Sequence, residues 1–424
     1  MRPRRLIPRY SLRTLVVFML LVTSGVGLWW RARGEPWYCE HVLEVDGGGV
    51  GEFATFSPDG ARLLLGGYPA TVWDPESGAL VHVLRRHAVE AQWGIYSPDG
   101  GRILTGSAFE FRVDETAPMS NDPARVWQAK NGQLIAALDH GSGLVPLGIF
   151  SSDGTRIVSS ARCGTAKVWD GITGRFLADL RSEFGSFALS AAFSPDGRSV
   201  YTPEGHGDLV EWEAQTGKRL RTFAGRTTDS PYWIIASPDG DRIATSGHRD
   251  GTVVIWDARR GVRQRILDAR GHDTYSFAFS RDSRRLLATY WNGPVWIWDA
   301  ASGEVLTEID LGPEQIWFAS FSPDEKRMAA TSSEGKMLQI WSIPRKQLLW
   351  TTHVADDAYF GTFSPDGERL VTGGSESRCL VWRRRRPECW WGVFWLWEFW
   401  LTAAFACLFI WSVIRDRRRL ARTG

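Results

Sequence analysis

The sequence is poor in cysteine, and its five copies (Cys39, Cys163, Cys379, Cys389 and Cys407) are odd in number. That is no disulfide framework, and no C-x-x-C pair suggests zinc or redox chemistry. Charge of one sign is also lacking: 50 Lys and Arg stand against 48 Asp and Glu, a net charge of +2. A global attraction to nucleic acid is thereby excluded. There is no G-x-S-x-G elbow, H-E-x-x-H, Walker motif or G-x-G-x-x-G after a strand, so the common catalytic signatures are missing. What the chain has in excess is tryptophan, with 23 copies. Arginine is concentrated at the two ends.

Two long apolar runs flank the chain. Residues 12–30 read LRTLVVFMLLVTSGVGLWW, about the minimum that spans a hydrocarbon core as a helix. Bulky Trp29 and Trp30 occupy the place where a cleavage site needs small residues, which favours an uncleaved anchor over a signal peptide. Residues 390–414 read WWGVFWLWEFWLTAAFACLFIWSVI, with tryptophans crowding the first half as at a membrane–water interface. Glu398 is the one ionisable residue in that run, and it reads either as a contact with another helix or as a carboxyl near the headgroups. Residues 1–11 and 415–424 are basic tails. The Arg excess before Leu12 and after Ile414 places both tails in the cytoplasm and the intervening domain outside it.

Between the runs, residues 41–382 are built of repeats. F-S-P-D-G or a close variant recurs at Phe56–Gly60, Tyr96–Gly100, Phe150–Gly154, Phe193–Gly197, Ala236–Gly240, Phe279–Ser283, Phe321–Glu325 and Phe363–Gly367. A short apolar strand follows each, and then a strand ending in Trp73, Trp127, Trp169, Trp212, Trp256, Trp298, Trp341 or Trp382. Most copies continue W-D-x-x-x-G and add a fourth apolar segment. Pro-Asp-Gly makes a tight turn, since Pro fixes φ, Asp bonds nearby backbone and Gly accepts φ > 0. Each repeat therefore predicts a four-stranded antiparallel sheet too small to bury both faces alone. Radial stacking buries them, which predicts an all-β, eight-bladed propeller.

These elements, best seen in Ser237–Gly261 (SPDGDRIATSGHRDGTVVIWDARRG), resemble WD40 repeats. The resemblance covers about Val42 to Trp382, is specific for fold, and says little about function. It implies that His41–Asp46 supplies the fourth strand missing after Trp382 and closes the ring. It also implies that the histidines of the loops, Gly271-His272 with His87, His140 and His353, bond within their own blades rather than holding metal. No metal or cofactor is expected. The turn aspartates lie in separate blades and serve their turns.

Two features rise above the scaffold. Blade two carries an insertion between Ser107 and Val126, visible as a spacing of 54 from Ser97 to Ser151 against 40 and 43 for the neighbouring steps. It reads as a recognition loop or a tolerated surface loop. Tyr232, Tyr275, Trp317 and Tyr359 stand four positions before the F-S-P-D-G start of four consecutive blades. In WD40 domains the entrance of the first strand often meets partners, so this arc is a candidate partner-binding site. The pleat argues for core packing instead, because a residue four back shares its face with the buried Phe. Ring closure also brings Cys39 and Cys389 toward each other, as a candidate disulfide in an oxidising compartment or as two unrelated thiols. The expected function is a membrane-anchored binding or scaffold module, not an enzyme, with a protein or peptide partner. The alternative is an envelope enzyme, or a cofactor- or glycan-binding propeller, which would need convergent acids, bases or metal ligands.

Overall fold

In the computed structural model, residues 37–385 are described except 45–52, 88–90, 108–121, 142–144, 146, 162–164, 182–189, 205–206, 226–230, 248–250, 268–273, 291–292, 312–315, 333–335, 355–358 and 375–377. The described chain is all β, with 32 strands in eight four-stranded antiparallel sheets. β1 (Trp37–Glu44) opens the chain. Blade one is β2 (Ala54–Phe56), β3 (Leu63–Leu65), β4 (Ala70–Asp74) and β5 (Ala79–Leu84). Blade two is β6 (Trp93–Tyr96), β7 (Arg102–Gly106), β8 (Ala124–Gln128) and β9 (Leu134–Leu138). Blade three is β10 (Leu147–Phe150), β11 (Arg156–Ser160), β12 (Thr165–Asp170) and β13 (Phe176–Arg181). Blade four is β14 (Ala192–Phe193), β15 (Ser199–Pro203), β16 (Leu209–Glu213) and β17 (Arg219–Phe223). Blade five is β18 (Pro231–Ala236), β19 (Arg242–Gly247), β20 (Val253–Asp257) and β21 (Val262–Leu267). Blade six is β22 (Thr274–Phe279), β23 (Arg285–Tyr290), β24 (Val295–Asp299) and β25 (Val305–Ile309). Blade seven is β26 (Ile316–Phe321), β27 (Arg327–Ser332), β28 (Met337–Ser342) and β29 (Gln347–His353). Blade eight is β30 (Phe360–Phe363), β31 (Arg369–Gly373) and β32 (Arg378–Arg384), with β1 as its outer strand.

The closure expected from the missing strand is therefore present. It begins at Trp37 rather than His41, because β32 runs on to Arg384 and its partner must match that length. The strands of each blade are lettered A to D from the inside outward. In the A–B turn of blade one, Arg62 N donates to Ser57 Oγ (2.9 Å), Ala61 N donates to Asp59 Oδ1 (3.0 Å) and Gly60 takes φ 73°. The same turn recurs with Ser97, Ser151, Ser194, Ser237, Ser280, Ser322 and Ser364. In blades six and seven Ser283 (φ 62°) and Glu325 (φ 55°) take the glycine place. Both reach back to the preceding blade: Asp239 N donates to Ser283 Oγ (3.0 Å), and the Glu325 carboxylate accepts from Arg285 and Arg281 N.

Strands B and C are buried on both faces, as in Leu63–Leu65 and Ile103–Gly106, so they read as continuous apolar runs. The repeat tryptophans sit among them. Six of them donate Nε1–H to hydroxyls at Thr71, Thr105, Ser159, Thr202, Thr245 and Thr372, between 2.7 and 3.0 Å, and Trp341 donates to the Gln339 carboxamide oxygen (2.8 Å). A buried indole N–H needs such a partner, and each bond contributes on the order of 1 kcal/mol. The chain divides into two compact units, Met1–Tyr38 with Arg384–Gly424 and the propeller Cys39–Arg383. Among the described residues no helix is long and apolar enough to cross a membrane. The runs 12–30 and 390–414 lie outside the described residues.

Candidate functional site

Two places in the propeller carry more than scaffold chemistry. The first is the foot of the blade-two insertion, between β7 and β8. His87 Nε2 lies 2.7 Å from the Thr105 hydroxyl, which accepts from Trp127 Nε1 at 2.8 Å. His87 Nδ1 lies 2.8 Å from Asp122 Oδ2, and Ser107 Oγ donates to the same oxygen (3.1 Å). Arg125 Nη1 donates to Asp122 Oδ1 at 2.5 Å. A neutral imidazole protonated on Nδ1 completes this chain of donors from Trp127 to Asp122. Burial lowers the His87 pKa, against the pull of Asp122, and keeps the ring neutral. Burial opposes the charge on Asp122, but His87 and Arg125 outweigh it and hold the carboxyl at about 2. Ser107 and Asp122 are thus the fixed ends of the insertion, whose residues 108–121 lie outside the described residues.

The expectation that loop histidines serve their own blades holds for His87 and for His140, whose Nε2 lies 2.7 Å from Ser159 Oγ. Burial, with Lys167 nearby, lowers His140 to about 4. His353 instead lies exposed in β29 opposite Met337, with no such network among the described residues. That strand runs further than its apolar pattern suggests. His272 lies outside the described residues. The turn aspartates behave as turn residues. The Ser97 hydroxyl and the Gly101 N–H, for example, hold Asp99 at about 2. Among the described residues no group of three or more His, Cys, Asp and Glu could hold a metal.

The second place is a cavity of about 510 Å³ on the inner strands of blades five to eight and one. Phe53, Trp233, Phe277, Phe318, Tyr359 and Phe360 line it, with Ile235 and the smaller Ala54, Ser276 and Thr362 between them. No carboxylate, imidazole, amine or guanidinium is among these residues. Trp233 is 37% exposed, a large apolar ring left open to solvent.

Of the four aromatics singled out from the sequence, Tyr359 lines this cavity. It is half-buried, packs against the core of blades eight and one, and its N–H donates to Gly373 O (2.9 Å). The side chains of Tyr232, Tyr275 and Trp317 lie outside the described residues. Their backbone corrects the pleat argument. Pairing skips each of them, from Pro231 to Trp233, Thr274 to Ser276 and Ile316 to Phe318. Each is the extra residue of a β-bulge, and a bulge breaks the alternation that tied it to the face of the buried Phe.

The aromatics that line the cavity stand mostly one residue later. Phe53, Trp233, Phe318 and Phe360 lie three before the F-S-P-D-G start, as does Trp93 of blade two. A signal for this position exists at the end of strand B, where glycine often stands. Trp93 pairs with Gly106 and Phe360 with Gly373, and a Cβ at either glycine would meet the ring at under 3 Å. The glycine clears the bed on which the ring lies. Cys39 is a free, exposed thiol on β1 that reaches His41 O at 3.4 Å. Cys389 lies outside the described residues, and with it the proposed disulfide.

The described sheets make the chain an eight-bladed β-propeller, and two of its segments match the WD40 repeat. Residues 132–170 and 217–257 match the family model described as WD domain, G-beta repeat. Similar curated proteins include Autophagy-related protein 16 of Arabidopsis thaliana, 27% identical over 53% of this chain and 41% of that protein. Nuclear distribution protein PAC1 of Arthroderma otae is 27% identical over 55% of each chain. Protein groucho of Drosophila melanogaster is 32% identical over 30% of this chain and 17% of its own length. The chain thus spans about half or less of these relatives. Among solved structures, the C-terminal WD40 domain of Sif2 superposes with a TM-score of 0.68 at 16% identity, covering 82% of this chain and 99% of that one. The computationally designed Ika8 protein gives 0.65 at 21% identity, covering 80% and 98%. Both likenesses concern the fold alone.

Proposed function

We infer that the chain is a membrane-anchored interaction module that takes an apolar stretch of a partner protein into its aromatic cavity. The carrying observation is the open ring of Phe53, Trp233, Phe318 and Phe360 around about 510 Å³, with no charged side chain among its described lining residues. Its volume lies within the range of roughly 300–1,000 Å³ usual for ligand sites, and rigid aromatic rings are favoured anchors of interfaces. An envelope enzyme is the weaker reading, since acid–base chemistry has no carboxylate or imidazole in the described lining. The apolar runs 12–30 and 390–414 supply the anchors, and the terminal arginines favour a propeller outside the cytoplasm.

A photo-crosslinking residue at Trp233 in intact cells tests the binding site, with the exposed turn residue Ile172 as control. The expected result is an adduct to one protein from position 233 and not from 172, lost on Phe318→Ala. Equal labelling from both positions overturns the reading. Reporter fusions after Arg33 and at Gly424 test the topology. A cytoplasmic signal from the first overturns the extracytoplasmic placement.

A further inference from the structure

All but two of the exposed large apolar side chains among the described residues, Tyr68 and Trp233, lie on the outermost strands or on a C–D turn. Most of them crowd one end of those strands, with Val42 and Ile266 further along. Leu80, Ile135, Phe176, Leu220, Val305 and Leu348 each stand two or three residues after the last residue of the C–D turn, and Val262 directly follows Gly261. At about 3.3 Å per residue, that places them within roughly 10 Å of the rim formed by the C–D turns. One such residue occurs in each of blades one to seven. Exposed cations stand in or beside the same turns: Lys130, Arg175, Lys218, Arg260, Arg345 and Lys346.

The chain enters and leaves the propeller at this rim. β1 occupies the place of strand D, so it starts where a C–D turn would lie; β32 occupies strand C and ends there. The ion pair of Glu40 with Arg383, 2.6 Å, fixes the two ends side by side. Nine residue steps separate Cys39 from Trp30, and seven separate Arg383 from Trp390. Fully extended, these reach about 30 Å and 25 Å at most.

We propose that the C–D rim rests on the bilayer, its apolar side chains entering the headgroup boundary between cations that meet anionic headgroups. This rests on the anchoring stated above. Apolar side chains interspersed with Lys and Arg suit a surface lying in that boundary; the cations stand at the turns of blades two to five and seven, while Glu76 and Glu304 stand at those of blades one and six, and tethers of this length keep this rim nearer the membrane than the opposite one. The aromatic cavity, formed by residues early in strand A, then lies toward the end of the channel that faces away from the lipid.

The test uses one strand as its own control. Val262 and Ile266 stand toward opposite ends of β21, Val262 beside the C–D turn, and are exposed to the same degree, 51% and 49%. The full chain, with its native cysteines replaced by Ala, receives an environment-sensitive fluorophore at Val262→Cys or Ile266→Cys. It is reconstituted in phosphatidylcholine vesicles containing phosphatidylserine and a nitroxide lipid. Expected is quenching at least about twofold stronger at 262 than at 266. Carbonate extraction in parallel reads the anchor. Equal, weak quenching in a chain that stays in the membrane pellet overturns the rim proposal and leaves the anchor standing. Release into the supernatant overturns the anchor itself. Shielding of both labels that grows with protein-to-lipid ratio marks contact between copies and overturns the rim proposal. The unmodified chain gives an independent reading with a tail-photoreactive phospholipid, whose adducts are expected near Leu220, Leu306 and Leu348. Adducts confined to residues 12–30 and 390–414 overturn the proposal.

Discussion

Blade five and blade eight have the same four strands but are made differently. In blade five, strand D follows strand C through a turn of a few residues. Asp257 Oδ1 accepts from Arg259 N (3.0 Å) and Arg260 N (2.8 Å), and Gly261 turns the chain at φ 71°. In blade eight, strand D comes from the other end of the chain, and no turn joins it to strand C. Its place is taken by an ion-pair cluster: Glu40 on β1 accepts from Arg369 Nε on β31 (2.9 Å) and Arg383 Nη1 on β32 (2.6 Å). Closing a loop of that length instead of a short turn costs on the order of 4 kcal/mol more in chain entropy. A blade can thus be completed by local backbone geometry or by long-range side-chain contact. The second route concentrates its stability in few residues.

The comparison breaks most visibly at the buried leucines of the two outer strands. Leu43 and Leu267 are both almost fully buried. Alanine at either should cost about 2–5 kcal/mol in urea unfolding. The difference should appear in hydrogen exchange. Leu43→Ala should speed exchange of the β32 amides alone, whereas Leu267→Ala should leave β1 and β32 unchanged. Equal exchange patterns would remove the distinction between the blades.

Glu40→Ala is the next largest effect. It leaves Arg369 and Arg383 without their shared carboxylate, and should lower stability by about 2 kcal/mol. The pH dependence sharpens this. Burial opposes ionisation of Glu40, but its bonds to the two guanidinium groups outweigh that and lower its pKa. Its contribution is therefore fully present above the ordinary carboxylate range and is lost as pH falls through the lowered value. Glu40→Gln should flatten the acid limb of the stability curve measured by thermal melts. An unchanged acid limb would show that the cluster does not couple to folding.

Gly261→Ala tests the local route, since an L side chain at that φ costs about 1 kcal/mol. The smallest expected change is at Lys346, which turns blade seven at φ 52° without glycine. Lys346→Gly should raise stability by about 0.5 kcal/mol, the strain relieved less the added entropy of the unfolded chain. Thermal melts that rank Gly261→Ala below Glu40→Ala in cost would support the contrast.

The repeats were legible because Ser-Pro-Asp-Gly and Trp-Asp turns need particular residues at particular places, and eight copies leave no other architecture. The split blade was legible for the same reason, since one strand was missing from the count. The aromatic cavity includes Tyr359 of the arc read in the sequence, but its other rings stand mostly one residue further along. The aromatics at 232, 275 and 317 fall on bulges, and a bulge changes which side chain faces inward without leaving a mark in the apolar pattern. The glycines of strand B were the better guide, as Gly106 under Trp93 and Gly373 under Phe360 show. The polar foot of the insertion was only half legible. His87 and Trp127 stand in repeat positions, but Asp122 and Arg125, which bond each other, fall at the end of the insertion, where the repeat offers no pattern to read.

The antiparallel pairing of β1 with β32 also fixes how the propeller carries tension. Cys39 and Arg383 are neighbours at one end of that pair, so a pull that draws them apart loads the ladder one hydrogen bond at a time. Strands peel in this direction and slide in the other. The first rung to feel the load lies beside Glu40 and Arg383. That clasp sets the force at which the ring begins to open, while the seven unsplit blades bear almost none of it.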